Sequence, residues 1–368
     1  MSSSESEPSK SEIAPHGGGV SRGGVSPNGS SESGGGRSSR ARRIDAAIVA
    51  VLVAVLAAVG WFLFIRDSSP AGPPAPILEM VIEEPISGAV IATDWSLPSA
   101  VAVDGDHVYV LDTGNNRILS LDQEGAVDNI ICETDDCALL LDAPQDMEYV
   151  NGVFYVANTE KGQVDVVTNT GTIVRTYELP IQPGVAPRAT GVHVAQDGSV
   201  YVSDWTSGKV AIFEPNGAFS QYFGEDTVGV FEFTEPTGLT TDSDGNLYVA
   251  EFSLGMVRKI SPIGRDLATF SMMGGVTPAS EATDVIISDD GLVYLADKKR
   301  AVVHVFSRAA RYLGILGLLD GSRTDSPLAL RRPEGLDAVG NEVYVIDARR
   351  GLQIYTVDPA FYLLPQVE

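Results

Sequence analysis

Histidine and cysteine are scarce, with four of the first and two of the second among 368 residues. His16 sits in a Ser/Gly-rich N-terminal stretch, and His107, His193 and His304 fall at three different places in the repeat described below. Side chains so placed do not converge, which argues against a histidine-rich zinc centre. No G-x-S-x-G elbow occurs within 77–368; the one match, Gly19–Gly23, lies in the Ser/Gly-rich N-terminal stretch. Cys132 and Cys137 lie together around "ETDD", so the usual nucleophile signatures are missing from the repeat region. Positive charge is short as well: 25 Lys and Arg stand against 49 Asp and Glu, a net charge of −24. A surface this acidic repels nucleic acid and anionic head groups; it attracts cations or basic partners, or simply keeps the chain soluble. Sustained helical periodicity is absent from 77–368, which excludes a helical core there.

Large apolar residues are nearly absent from residues 1–43, a Ser/Gly/Pro-dominated stretch. It cannot bury enough surface to offset its ordering entropy and is expected to be a disordered tail. The apolar run is all in one place: "AAIVAVLVAVLAAVGWFLFI" over 46–65 carries no charge. That length spans a hydrocarbon core of about 30 Å at about 1.5 Å per residue. A buried soluble helix has no place in a β-repeat protein, so a membrane-crossing helix over 44–65 is expected. Arg37, Arg40, Arg42 and Arg43 precede the run; Arg66, Asp67 and further acids follow it. The positive-inside rule then puts the tail in the cytoplasm and the rest outside. A cleaved signal peptide is the rival, disfavoured by the long leader. "RDSSPAGPPAP" (66–76) reads as a stiff spacer. Outside the membrane, Cys132 and Cys137 would pair as a disulfide; a metal pair with Glu133, Asp135 or Asp136 is the alternative.

What the chain does have is a repeat. A tyrosine embedded in apolar residues returns at Tyr109, Tyr155, Tyr201, Tyr248, Tyr294 and Tyr344, at intervals of about 46 to 50 residues. Three residues beyond each stands Asp112, Asn158, Asp204, Glu251, Asp297 or Asp347. The third copy shows the unit most clearly. "TGVHVA", "SVYVSD", "KVAIFE" and "FSQYFG" read as four strands, with "QDG" and "EPNG" as turns. Four-stranded antiparallel units at this spacing predict an all-β, six-bladed propeller over 77–368. "ILEMVIEE" (77–84) and "AVIATDW" (89–95) are strand-like and otherwise unpaired. One of them is expected to complete the blade that contains Tyr344, since an open ring would expose sheet edges.

"DTGNNRI" (112–118), after "GDHVYVL", resembles the NHL-repeat pattern, and the other five copies resemble it in part. The resemblance implies a binding platform that uses the loops of one face to hold a protein, peptide or glycan. In a minority of such propellers, and in the similar lactonase and amidating-lyase propellers, it implies a divalent metal at the centre of one face. The recurring acids after the tyrosines are expected to accept backbone N–H groups of the following turn rather than to catalyse. The tyrosines are expected to pack between blades.

Aligned on the first strand of each unit, the six copies place Ala100, Asp146, Gly191, Gly238, Asp284 and Gly335 at one level around the axis. Two residues further they place Ala102, Glu148, His193, Thr240, Ile286 and Asp337. Small residues are expected there, so Asp146, Glu148, His193, Asp284 and Asp337 are the candidate ligand-binding residues of a central tunnel. Carboxylate oxygens of that kind suit Ca²⁺. The expectation is a membrane-anchored, extracytoplasmic binding or sensing module; the alternative is a calcium-type hydrolase, lactonase or lyase with its site at the centre of one face.

Overall fold

The computed structural model describes residues 95–105, 107–122, 124–132, 140–224, 232–271, 280–317 and 329–357, together with the backbone of the strand Ile77–Ile82. The tail, the expected membrane span, the spacer and Cys137 lie outside the described residues. Among the described residues no helix is long and apolar enough to cross a membrane, and the helical turns are two single 3₁₀ turns.

Six four-stranded antiparallel sheets form, one for each copy of the repeat. Five are sequential meanders, from blade 1 (100–131) to blade 5 (282–316). In blade 3 the strands are Ala189–Val194, Val200–Asp204, Lys209–Phe213 and Phe219–Tyr222, within a residue or two of the sequence reading. Gly198 and Gly217 close its turns at φ 84° and 98°, a region that glycine enters without a Cβ clash. Blade 6 differs. Its strands Pro333–Val339, Glu342–Asp347 and Gly351–Thr356 take their fourth, outermost partner from Ile77–Ile82. The first of the two candidate segments therefore closes the ring.

Six hydrophobic clusters bind the six blades, one per interface. Tyr109 of blade 1 packs against Phe154 and Tyr149 of blade 2, at centroid distances of 4.9 and 4.7 Å. Tyr155 does the same toward blade 3, Tyr201 toward blade 4 and Tyr248 toward blade 5. Tyr294 packs toward blade 6, and Tyr344 returns to blade 1. The period of the tyrosine is thus the period of the interface. Each ring buries its apolar body between sheets, and two hydroxyls find acids, Tyr248 on Asp242 at 3.2 Å and Tyr344 on Glu342 at 2.6 Å.

The acids three residues after the tyrosines do more than was expected of them. Asp297 Oδ1 accepts N–H groups of the following turn, from Lys299 and Arg300, and Asp347 Oδ1 does so from Arg349 and Arg350. The recurring bond, however, reaches back 15 to 17 residues to the segment that enters the innermost strand: Ser96 N donates to Asp112, Arg188 N to Asp204, Thr234 N to Glu251, and Arg332 N to Asp347. Asp142 N donates to Asn158 in the same way. These side chains therefore fix where each innermost strand begins.

Candidate functional site: the two ends of the propeller axis

All six innermost strands run in one direction along the axis, and the tyrosine register proves the alignment around it. Ala102, Glu148, His193, Thr240, Ile286 and Asp337 each pair with the repeat tyrosine of their own blade. An innermost strand pairs on one side alone, so its other row of N–H groups needs acceptors from elsewhere.

The sequence-selected acids supply them. Val192 N of blade 3 donates to Asp146 of blade 2 at 2.8 Å, and Val194 N to Glu148 at 2.6 Å. Leu336 N of blade 6 donates to Asp284 of blade 5 at 2.8 Å, and Val103 N of blade 1 to Asp337 of blade 6 at 2.7 Å. The second oxygen of each aspartate accepts the N–H of its own next residue, Met147, Val285 or Ala338. Where no acid stands, glycine lets the strands touch. A Cβ on Gly238 would occupy the place of Asp284 Oδ1, and one on Gly335 would meet the backbone of Ser99 and Ala100.

All five sequence-selected residues line one channel of about 320 Å³ at the end where these strands finish. His193 lies between Glu148 Oε2, 3.4 Å from its Nδ1, and Thr241 Oγ1, 2.8 Å from its Nε2. The three aspartates line the channel and are partly exposed. Burial pushes Asp146 up to about 6, assisted by the Glu148 charge and opposed by its two N–H bonds. Burial likewise pushes Asp337 up to about 7. Asp284 is raised well above the carboxylate range by burial and then by the Asp146 charge. The donor set does not fit a calcium site: the aspartate oxygens face backbone N–H groups. Among the described residues no group of three or more His, Cys, Asp or Glu side chains is arranged to hold a metal ion.

The other end of the axis carries a second cavity, of about 340 Å³, that sequence reasoning missed. Its floor is the position one residue before the aligned set: Ser99, Gln145, Thr190, Thr237, Thr283 and Glu334, one from each blade. Three hydroxyls there clip successive blades together. Thr190 donates to Pro236 O at 2.8 Å, Thr237 to Ala282 O at 3.0 Å, and Thr283 to Pro333 O at 3.2 Å. The wall is Trp205 and Phe252, each following a repeat acid, with ring centroids 5.1 Å apart. Arg188, Lys298 and Arg332 complete the mouth. Extending the blade alignment by one position would have marked the floor; nothing in the repeat marks the wall, because each blade puts a different residue there.

One further cluster resembles a catalytic constellation and is not one. Ser280 and His304 both bond Asp297, His304 Nε2 at 3.2 Å, so the carboxylate stands between them and no base reaches the serine. All three side chains are buried. Cys132, whose backbone is at φ 71°, is disulfide-bonded.

Comparison with known proteins adds one sequence match. The NHL-repeat family model matches residues 96–119, the entry strand, tyrosine strand and turn of blade 1. The chain carries an NHL repeat. No curated protein matches it by sequence. Among solved structures, the propeller is similar to virginiamycin B lyase from Staphylococcus aureus, with 15% identity over 73% of this chain and 83% of that one and a TM-score of 0.50. A putative gluconolactonase shares 15% identity over 72% and 90%, with a TM-score of 0.53. A protein of unknown function from Bacteroides thetaiotaomicron shares 13% over 74% and 72%, with a TM-score of 0.57. At these identities the likeness is one of fold, and it agrees with the six-bladed propeller described above.

Proposed function

We propose that the chain is a single-pass membrane protein whose propeller stands outside the cytoplasm and works as a binding or sensing module. Its ligand, free or presented on a protein, peptide or glycan, seats in the funnel walled by Trp205 and Phe252. The observation that carries this reading is the funnel itself: every blade contributes a residue to its floor, and it is concave, part aromatic and part charged, as ligand sites are. The charge-free run at 46–65 and the arginines before it support the anchor and its orientation. The alternative of a calcium-type hydrolase, lactonase or lyase is the weaker one. The axial carboxylates are engaged by backbone N–H groups, and the described residues hold no serine–histidine pair facing either cavity.

Two measurements test it. Protease added to intact cells should release the propeller and spare the tail; release of the tail instead would overturn the topology. Full-length protein in neutral-lipid nanodiscs, titrated with naphthalene probes of different charge, should bind at least one of them, and Trp205→Ala with Phe252→Ala should abolish that binding. Binding that survives the double change would move the ligand site elsewhere.

A further inference from the structure

We infer that the funnel takes a small monoanionic ligand with a flat apolar body, a carboxylate on an aromatic or similarly planar skeleton; this rests on the funnel being the ligand site. The charges at the mouth carry the inference. Lys298 Nζ and Arg332 Nε both reach one oxygen of Glu334, at 3.0 and 2.5 Å. Two cations share one carboxylate, so a positive charge is left over. Arg188 is matched by Glu160 at 2.7 Å through a contact that is nearly half exposed on both sides, and its buried Nε–H has no protein acceptor. Such a surplus is unusual in a chain whose net charge is −24. A positive spot inside a concave opening concentrates anions there, even when the surrounding surface is acidic.

The aromatic wall stands beside these cations, since Lys298 Nζ lies 5.7 Å from the centroid of the Phe252 ring. The Trp205 and Phe252 rings stand at 60° to one another, so a planar body stacked on one of them meets the other edge-on. An attached acid then points toward Lys298, beside Phe252, and toward Arg332, which shares Glu334 with Lys298. The floor sets the ligand's orientation. Thr190, Thr237 and Thr283 have given their hydroxyl protons to the next blade, so they present methyl groups and oxygen lone pairs. A carboxylate finds no hydroxyl donor among these threonines. The cations are Lys298 and Arg332 at the mouth, and the floor carries the Glu334 carboxylate, which repels an anion. The acid group therefore belongs at the mouth and the apolar body in the cavity. A cationic ligand is disfavoured, because Glu334, the acid of the cavity lining, already holds two cations.

The test uses the full-length chain in neutral-lipid nanodiscs, with empty nanodiscs as the blank, titrated calorimetrically with 2-naphthoate, 2-naphthamide and 2-naphthylmethylammonium. Naphthoate should bind roughly tenfold or more tightly than the amide, and added salt should reduce that margin. Arg332→Gln should weaken naphthoate and leave the amide unchanged, which also shows that the variant is folded. Glu334→Gln, which frees both cations, should tighten naphthoate. Equal binding of acid and amide, or a Glu334→Gln that weakens naphthoate, overturns the inference; the funnel stands as the site if that binding is lost in Trp205→Ala. Failure of all three probes to bind, or binding indifferent to Trp205→Ala, overturns the site together with the inference.

Discussion

The two ends of the axis are built from the same six strands, a few residues apart, and they solve opposite problems. At the channel end, acids from blades 2, 5 and 6 satisfy the unpaired N–H groups of the following blade. At the funnel end, threonine hydroxyls satisfy carbonyl oxygens, and the charged groups sit further out, around the mouth. An acid in a tunnel is thus no sign of a ligand until its backbone partners are counted. Uncommitted charge is the better signal, and here it is positive, in a molecule that is otherwise acidic.

The comparison can be broken outright by opening the ring. Deleting residues 77–82 removes the fourth strand of blade 6 and exposes the edge of Gly351–Thr356. Both ends should be lost together, with aggregation in place of soluble or nanodisc-reconstituted protein. A soluble, cooperatively melting product would show that another segment closes blade 6.

A smaller change should separate the ends. Asp284→Ala and Asp337→Ala each strip a buried N–H of its acceptor and should cost about 1–3 kcal/mol in urea unfolding. Arg188→Ala at the funnel breaks a half-exposed ion pair and should cost about 0–1 kcal/mol. Equal costs at the two ends would mean that the axial acids are not clasps.

Acidity should shift the ends differently. Asp146, Asp284 and Asp337 are all raised in the folded protein, so the fold binds protons more tightly than the unfolded chain. The contribution of Asp146 and Asp337 is present at pH about 4 and is lost as the pH rises through about 6 to 7, and that of Asp284 is lost in the same direction. The melting temperature should therefore fall by several degrees between pH 5 and 8. Below pH 4 the trend should reverse. Although burial opposes it, Asn246 and Lys259 hold Asp242 down at about 2, and His304 and Ser280 likewise keep Asp297 low. A melting temperature flat across pH 5 to 8 would contradict raised aspartates in the channel.

Much of this was legible in the residues. Tyr109 and its five counterparts gave the blade period and even the pairing register, because the same ring must fill the same inter-blade gap six times. "ILEMVIEE" was readable as one of two strand-like segments without a partner, and either it or "AVIATDW" was expected to close the ring. The roles of Asp146, Asp284 and Asp337 were not readable. Their partners are N–H groups that carry no side-chain signature and lie 46 to 52 residues away, or on the far side of the ring closure. The funnel was hidden for a different reason: Trp205, Phe252 and Lys298 share one position in three blades without sharing a chemistry.

The most direct test of the account is a ¹³C titration of the aspartate side-chain carboxyls, with and without millimolar Ca²⁺. Asp146 should titrate near 6 and Asp337 near 7, with neither moved by calcium. Release of their protons to calcium would contradict the claim that these carboxylates hold blades rather than a ligand; titration of all the axial acids near 4, unmoved by calcium, would contradict only their burial.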